Sequence, residues 1–251
     1  MKTKAIFKLC IPAFVLVALL ACDKEDTPPA ISGDEAAELV ATSLAENSMG
    51  FAVVLDEAIA VTDEATASSS GGRTAACGFS NSYSFEASNP GGTVITYSYS
   101  YSYSYALTCG ENDLPQSMSV EVMYSGEFDG PRMASAHNGE GELHVTKLDE
   151  NSTTYLVNGG YSRSGSFQSK VRNMKEGNCS VDVTLDDLVV DKSSRTVLSG
   201  ELSVTLTGSV TGKGSYNYSA TIIFNGDGTA NTTINKSVYR IDLATGTVTA
   251  E

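Results

Sequence analysis

Residues 96–108 read Thr-Tyr-Ser-Tyr-Ser-Tyr-Ser-Tyr-Ser-Tyr-Ala-Leu-Thr. Tyr97, Tyr99, Tyr101, Tyr103 and Tyr105 alternate with Ser98, Ser100, Ser102 and Ser104. Successive side chains on a strand point to opposite faces, so this segment predicts a strand with one aromatic face and one hydroxyl face. At about 3.4 Å per residue it reaches roughly 44 Å, long for a globular strand. The hydroxyl face can stay wet, as antiparallel sheets allow.

The preceding segment agrees in phase. Phe79, Tyr83 and Phe85 share one parity and Ser80, Ser82 and Ser84 the other, with Asn89-Pro90-Gly91-Gly92 as the turn between the two strands. Pairing them sets rings opposite rings, each cross-strand pair adding roughly 0.2–1 kcal/mol. Period two then persists through Met118, Val120, Val122 and Tyr124, through Leu143 and Val145, and through residues 153–157 and 160–171. It continues in Cys179, Val181, Val183 and Leu185, in Leu202, Val204 and Leu206, and in Tyr216, Tyr218, Ala220, Ile222 and Phe224, before a tail at 238–243 and Val248. Short turns rich in Gly, Asn and Asp separate these runs.

About ten strands follow from this count. Residues 32–67 read differently. Ser32 and Glu35 have capping-box spacing; Leu39, Val40 and Leu44, then Phe51, Val54, Leu55, Ala58 and Ile59, recur at helical spacing, with Gly50 interrupting. Helices first and strands after predict an α+β, mostly β fold: a helical leader (32–67) packed as one unit with a curved antiparallel meander (77–251), close to a half-barrel. The alternatives are a closed barrel or a β-sandwich. A transmembrane barrel fits poorly, because the Ser-rich face cannot meet lipid and the Tyr-rich face lacks an aliphatic band. The tyrosine face has two readings, a packing surface beneath the leader or an aromatic ligand face formed by Tyr97, Tyr99, Tyr101, Tyr103 and Tyr105. Absence of tryptophan weakens a sugar platform.

The start of the chain has the parts of an export signal. Lys2, Lys4 and Lys8 precede an apolar run at 9–20, too short to span a bilayer as a helix. The run ends in Leu19-Leu20-Ala21-Cys22, which resembles the lipobox of bacterial lipoproteins, and Asp23-Lys24-Glu25-Asp26 resembles the acidic tract of surface-exported lipoproteins of the Bacteroidota type. Residues 224–246 also look similar to closing hairpins of uncharacterised lipoproteins of that group. The resemblance implies a signal peptide at 1–21, acylation (palmitate or a related chain) at Cys22, a tether at 22–31 stiffened by Pro28 and Pro29, and residence at the outer membrane or cell surface. Each buried CH₂ contributes about 0.8 kcal/mol to such an anchor.

The formal charge of −14 becomes −17 once those three lysines leave with the signal. That surface repels phosphate backbones and anionic head groups, so no nucleic-acid partner is expected and membrane attachment falls to the acyl chains. Cys77, Cys109 and Cys179 remain in an oxidising compartment. Cys77 and Cys109 are each followed by glycine and sit at ends of strand patterns with the same parity, which favours them as the disulfide; other pairings stay open.

Reactive motifs are scarce. Glu140, Glu142 and His144 share a parity, but Asn138-Gly139 is expected to break the strand after His137 and leave an exposed hairpin rather than a metal site. Asn225-Gly226-Asp227-Gly228-Thr229 reads as a hairpin turn rather than a calcium loop. No catalytic residue, cofactor or metal is expected. The function expected is a non-catalytic binding or structural module; the alternatives are a carrier of a hydrophobic molecule between sheet and helices, and a hydrolase with carboxylates assembled from distant strands.

Overall fold

The computed structural model describes residues 29–67, 77–89, 91, 94–171 and 175–251. The leader at 1–21, Cys22 and the acidic tract lie outside the described residues.

Helix α1 (Gly33–Leu44) opens on a reciprocal cap. Ser32 N–H donates to Glu35 Oε2 at 2.7 Å and Glu35 N–H donates to Ser32 Oγ at 3.3 Å. A 3₁₀ turn (Glu46–Ser48) and Gly50 separate it from α2 (Phe51–Ala67). A Cβ at Gly50 would overlap the Ser43 and Leu44 backbone, so the second helix can fold close to the first only with glycine there. Helix α1 buries Ala36, Ala37, Leu39, Val40, Ala41, Ser43 and Leu44, while Asp34, Glu38 and Thr42 lie on its more open side. Residues 30 and 31, expected to lie in the tether at 22–31, belong to the folded body. Ala30 and Ile31 are buried, and their carbonyls accept from Lys175 Nζ (3.2 Å) and Tyr218 Oη (2.6 Å). An isoleucine directly before an N-cap is well placed to pack as a hydrophobic staple, which draws this residue into the core.

Eleven strands follow: β1 (Ser80–Ser88), β2 (Thr96–Cys109), β3 (Pro115–Asp129), β4 (Met133–Thr146), β5 (Thr154–Ser169), β6 (Glu176–Asp191), β7 (Val197–Val210), β8 (Gly214–Phe224), β9 (Thr229–Ile234), β10 (Ser237–Asp242) and β11 (Val248–Ala250). They form one antiparallel sheet in chain order, open between β1 and β11. It is an α+β, mostly β meander, neither a closed barrel nor a sandwich. Three differences take the expected ten strands to eleven, the first being that the tail forms two strands, β10 and β11. Residues 153–157 and 160–171 join into the single strand β5 across a bulge between Val157 and Gly159, and β9 is an additional strand. Strand β4 also runs unbroken through Asn138-Gly139, because Gly139 pairs in register with Tyr124 and Arg163.

Both helices lie on the inner face, α1 towards β9–β11 and α2 towards β3–β4. Inner positions include Val120, Val122, Val181, Val183, Leu202, Val204 and Ile222, all buried. The outer face carries Ser, Thr, Asn and Glu. Large rings on the inner face lie over glycines of an adjacent strand: Tyr99 over Gly126, Tyr124 over Gly139, and Tyr216 over Gly208. A Cβ at any of the three would overlap the ring. Glycine at these positions lets a neighbouring ring lie flat against the backbone, and glycines of this kind accompany strand bending.

Candidate functional site

The tyrosine face is covered by the helices. Tyr99, Tyr101 and Tyr103 are 1–2% exposed, and Tyr97 and Tyr105 at the two ends are half-buried. The ligand-face reading is therefore corrected: three of its five rings are packing surface. Tyr101 stacks between Tyr99 and Tyr103, with centroids at 5.9 and 6.0 Å, and against Tyr124 at 5.5 Å. The hydroxyls reach the helix connection. Tyr99 Oη donates to Ser48 O (3.0 Å) and Tyr101 Oη to Met49 O (3.1 Å). The Tyr103 hydroxyl is buried with no hydrogen-bond partner among the described residues.

Beside these rings is a polar hub that spacing alone did not reveal. Arg163 is 4% exposed and donates from Nη1 to Thr42 O (2.9 Å) and Ser48 O (3.3 Å), and from Nη2 to His137 Nδ1 (3.1 Å) and Ser135 Oγ (3.3 Å). Tyr161 Oη donates to Ser43 O (3.2 Å) and so accepts from Tyr124 Oη. Thr42 and Ser43 lie in the last turn of α1, whose final carbonyls have no partner within the helix. Arg163 and Tyr161 satisfy them, and the guanidinium sits at the negative end of the helix dipole.

The donors also fix the histidine. A guanidinium only donates, so His137 Nδ1 accepts and Nε2 carries the proton. Nε2 then donates to Tyr99 Oη (2.9 Å), whose own proton goes to Ser48 O. Burial, and secondarily the Arg163 charge, hold the His137 pKa down to about 2. Burial raises Tyr99 and Tyr161, with the Arg163 charge opposing it. The hub is a neutral-ring network organised around one cation. The expectation of an exposed hairpin at His137 is overturned; the ring is buried because it shares inward parity with Met133, Leu143 and Val145.

His144, Glu140 and Glu142 do face outward from β4, and His144 Nε2 lies 3.3 Å from Glu142 Oε1 with both side chains largely exposed. Among the described residues no three His, Cys, Asp or Glu side chains converge as a metal ion would require. The buried polar and charged side chains among them are Ser43, Ser48, Thr62, His137, Arg163 and Thr232, a set without a carboxylate. Cys77 and Cys109 are joined as a disulfide with Cα atoms 5.5 Å apart, tying the lead-in to β1 to the end of β2. Cys179 is a half-buried thiol whose pKa burial raises.

Beside α1 an apolar concavity opens to solvent, a side notch of about 460 Å³. Asp34, Glu38 and Thr42 form one wall, and Phe128, Met133 and Val248 contribute to the other. Arg132 pairs with Glu38 and Tyr239 Oη donates to Asp34 Oδ1 (3.0 Å), so both acids have roles in the wall itself. Two shallower grooves of about 880 and 730 Å³ cross the outer hydroxyl face. Comparison with protein-family models, curated proteins and solved structures returned no match. Among the described residues no helix is long and apolar enough to cross a membrane.

Proposed function

We propose that this chain is an exported lipoprotein, anchored through acylated Cys22, whose sheet domain is a non-catalytic binding or structural module at the outer membrane or cell surface. The observation that carries the module reading is the filled interior. The space between sheet and helices is occupied by Tyr99, Tyr101 and Tyr103 and by the Arg163–His137 hub, with hydroxyls and guanidinium spent on helix carbonyls. Contacts with a partner then fall to the exterior. The lipobox sequence motivates the anchor.

The test is fractionation of cells expressing the full chain, with metabolic labelling by an alkyne fatty acid. Wild-type protein should label and sediment with membranes, and Cys22→Ala should do neither. Retention of the unlabelled variant in the membrane would overturn the anchor.

A second reading is favoured by the side notch, whose volume falls within the roughly 300–1,000 Å³ of small-molecule sites. In that reading the protein carries a hydrophobic molecule beside α1 rather than under the tyrosines. Native mass spectrometry of the full chain decides it. A co-purified mass present in wild type and lost in Val248→Trp, which fills the notch from the sheet edge, supports the carrier; an unadorned wild-type mass rejects it.

A further inference from the structure

The two edges of the open sheet are unlike. Strand β11 is three residues long, a short and blunt edge. Strand β1 is nine residues long, pairs with β2 without a register shift, contains no proline or lysine, and has no strand on its outer side among the described residues. Short strands, bulges, prolines and edge charges are among the means of preventing edge-to-edge pairing, and of these β1 carries only the single charge of Glu86.

The direction of its free groups follows from the ladder. Leu107 N–H donates to Phe79 O (2.9 Å) and Asn89 N–H donates to Tyr97 O (3.3 Å), so odd-numbered residues of β1 bond to β2. Alternation in an antiparallel pair then points the N–H and C=O groups of Ser80, Ser82, Ser84, Glu86 and Ser88 outward, and all five residues are exposed. The charge pattern singles out the same place. The chain carries 30 acidic and 16 basic residues, yet between Cys77 and Cys109 the only charge is Glu86. Along the hairpin itself, copies of a strongly acidic protein meet little like charge, while Glu57 of α2 lies beside it and accepts from Tyr83 Oη.

We propose that the outer edge of β1 is an isologous interface, occupied by β1 of a second copy in antiparallel register centred on Ser84. A two-fold pairing at Ser84 overlaps all nine residues. It sets Ser80 opposite the partner's Ser88, Tyr83 opposite the partner's Phe85, and Glu86 opposite the partner's Ser82. A centre at Glu86 would oppose two carboxylates, and a centre at Ser82 would shorten the overlap. In the Ser84 register the aromatic row continues across the two-fold axis. Tyr83 and Phe85 already take rings across the ladder on their other side, with Tyr83–Tyr103 at 5.4 Å and Phe85–Tyr101 at 5.1 Å. The hydroxyl faces of the two sheets join as one.

The test is cysteine cross-linking of the full chain in membranes from expressing cells. Hydrogen-bonded residues facing each other across an antiparallel pair have Cα atoms about 5.5 Å apart, within disulfide reach. Ser84→Cys should give a band of twice the monomer mass under mild oxidation. Wild type should not, and neither should Ser102→Cys, which is exposed on β2 but flanked by strands on both sides. Charge variants read the register. In the Ser84→Cys background, Ser82→Lys places lysine opposite the partner's Glu86 and should keep the cross-link. Ser82→Lys with Glu86→Lys opposes lysines at both ends and should lower it tenfold or more, with circular dichroism unchanged. No cross-link at Ser84→Cys, an unchanged yield in the double-lysine variant, or a cross-link to a different protein would each overturn the proposal.

Discussion

Arg163 Nη2 meets His137 Nδ1 at 3.1 Å, a cation donating to a neutral ring in the centre of the molecule. The same guanidinium holds the Thr42 and Ser48 carbonyls, so one side chain from β5 fixes the end of α1 and the 3₁₀ turn that leads to α2. Arg163→Met keeps much of the aliphatic bulk but removes these charge-assisted hydrogen bonds, leaving Thr42 O with Ser48 Oγ and Ser48 O with Tyr99 Oη as donors. Hydrogen bonds from a charged donor contribute about 1.5–3 kcal/mol each. Urea denaturation should show a loss of at least about 3 kcal/mol. Arg163→Lys keeps the charge but not the fork, and should recover only part of it.

His137 makes stability depend on pH, and the sign follows from its depressed pKa. The unfolded ring binds a proton below about 6.5, whereas the folded ring stays neutral down to about 2. Between those values the unfolded state holds more protons, so stability falls as the medium is acidified. The slope from this one group approaches 1.4 kcal/mol per pH unit once well below 6.5. Thermal melts between pH 7 and 4.5 should show that decline, and His137→Gln, which keeps a donor and an acceptor but does not titrate, should flatten it.

Much of this architecture is legible in the chain. The Tyr-Ser alternation places β2 and its two faces, Ser32 and Glu35 announce the start of α1, and Gly50 marks the break between helices. Strand β9 is harder to see, because Thr-Ala-Asn-Thr-Thr-Ile offers small and polar residues on both parities, and pairing with β8 and β10 decides its state. The hub also left a trace that spacing-based motifs overlook. His137 shares parity with Leu143, and Arg163 with Tyr161 and Phe167; each is a polar residue at an inward position. What the sequence does not contain is the partner. The acceptors are carbonyls of α1 and the connection after it, over a hundred residues away, and they become acceptors only when the helix ends over β5.

The rings that lie over glycines make a position-specific prediction. Gly139 and Gly160 sit on neighbouring strands, but a Cβ at Gly139 would strike the Tyr124 ring and the Ser162 carbonyl, whereas at Gly160 it meets only Val183 O at 3.6 Å. Gly139→Ala should displace Tyr124 from Tyr161 and cost about 1–3 kcal/mol, the usual penalty for forcing bulk into a packed core. Gly160→Ala should stay within about 1 kcal/mol of wild type, since strands tolerate alanine where there is room. Equal losses in the two variants would mean that the ring-over-glycine contact does not set the packing.

The Cys77–Cys109 disulfide closes a sequence separation of 32 residues around the β1–β2 hairpin. Constraining an unfolded loop of that size is worth about 3–4 kcal/mol in the chain-entropy model. The cross-link acts on the edge hairpin, which among the described residues has strand pairing on one side only, a position that favours local opening. Cys77→Ser with Cys109→Ser should therefore lower global stability by up to that amount, and should raise amide exchange in β1 and β2 more than in β5–β7. Hydrogen exchange read by mass spectrometry separates the two effects. Protection lost uniformly across all strands would place the action of the disulfide in the unfolded chain alone rather than at this edge.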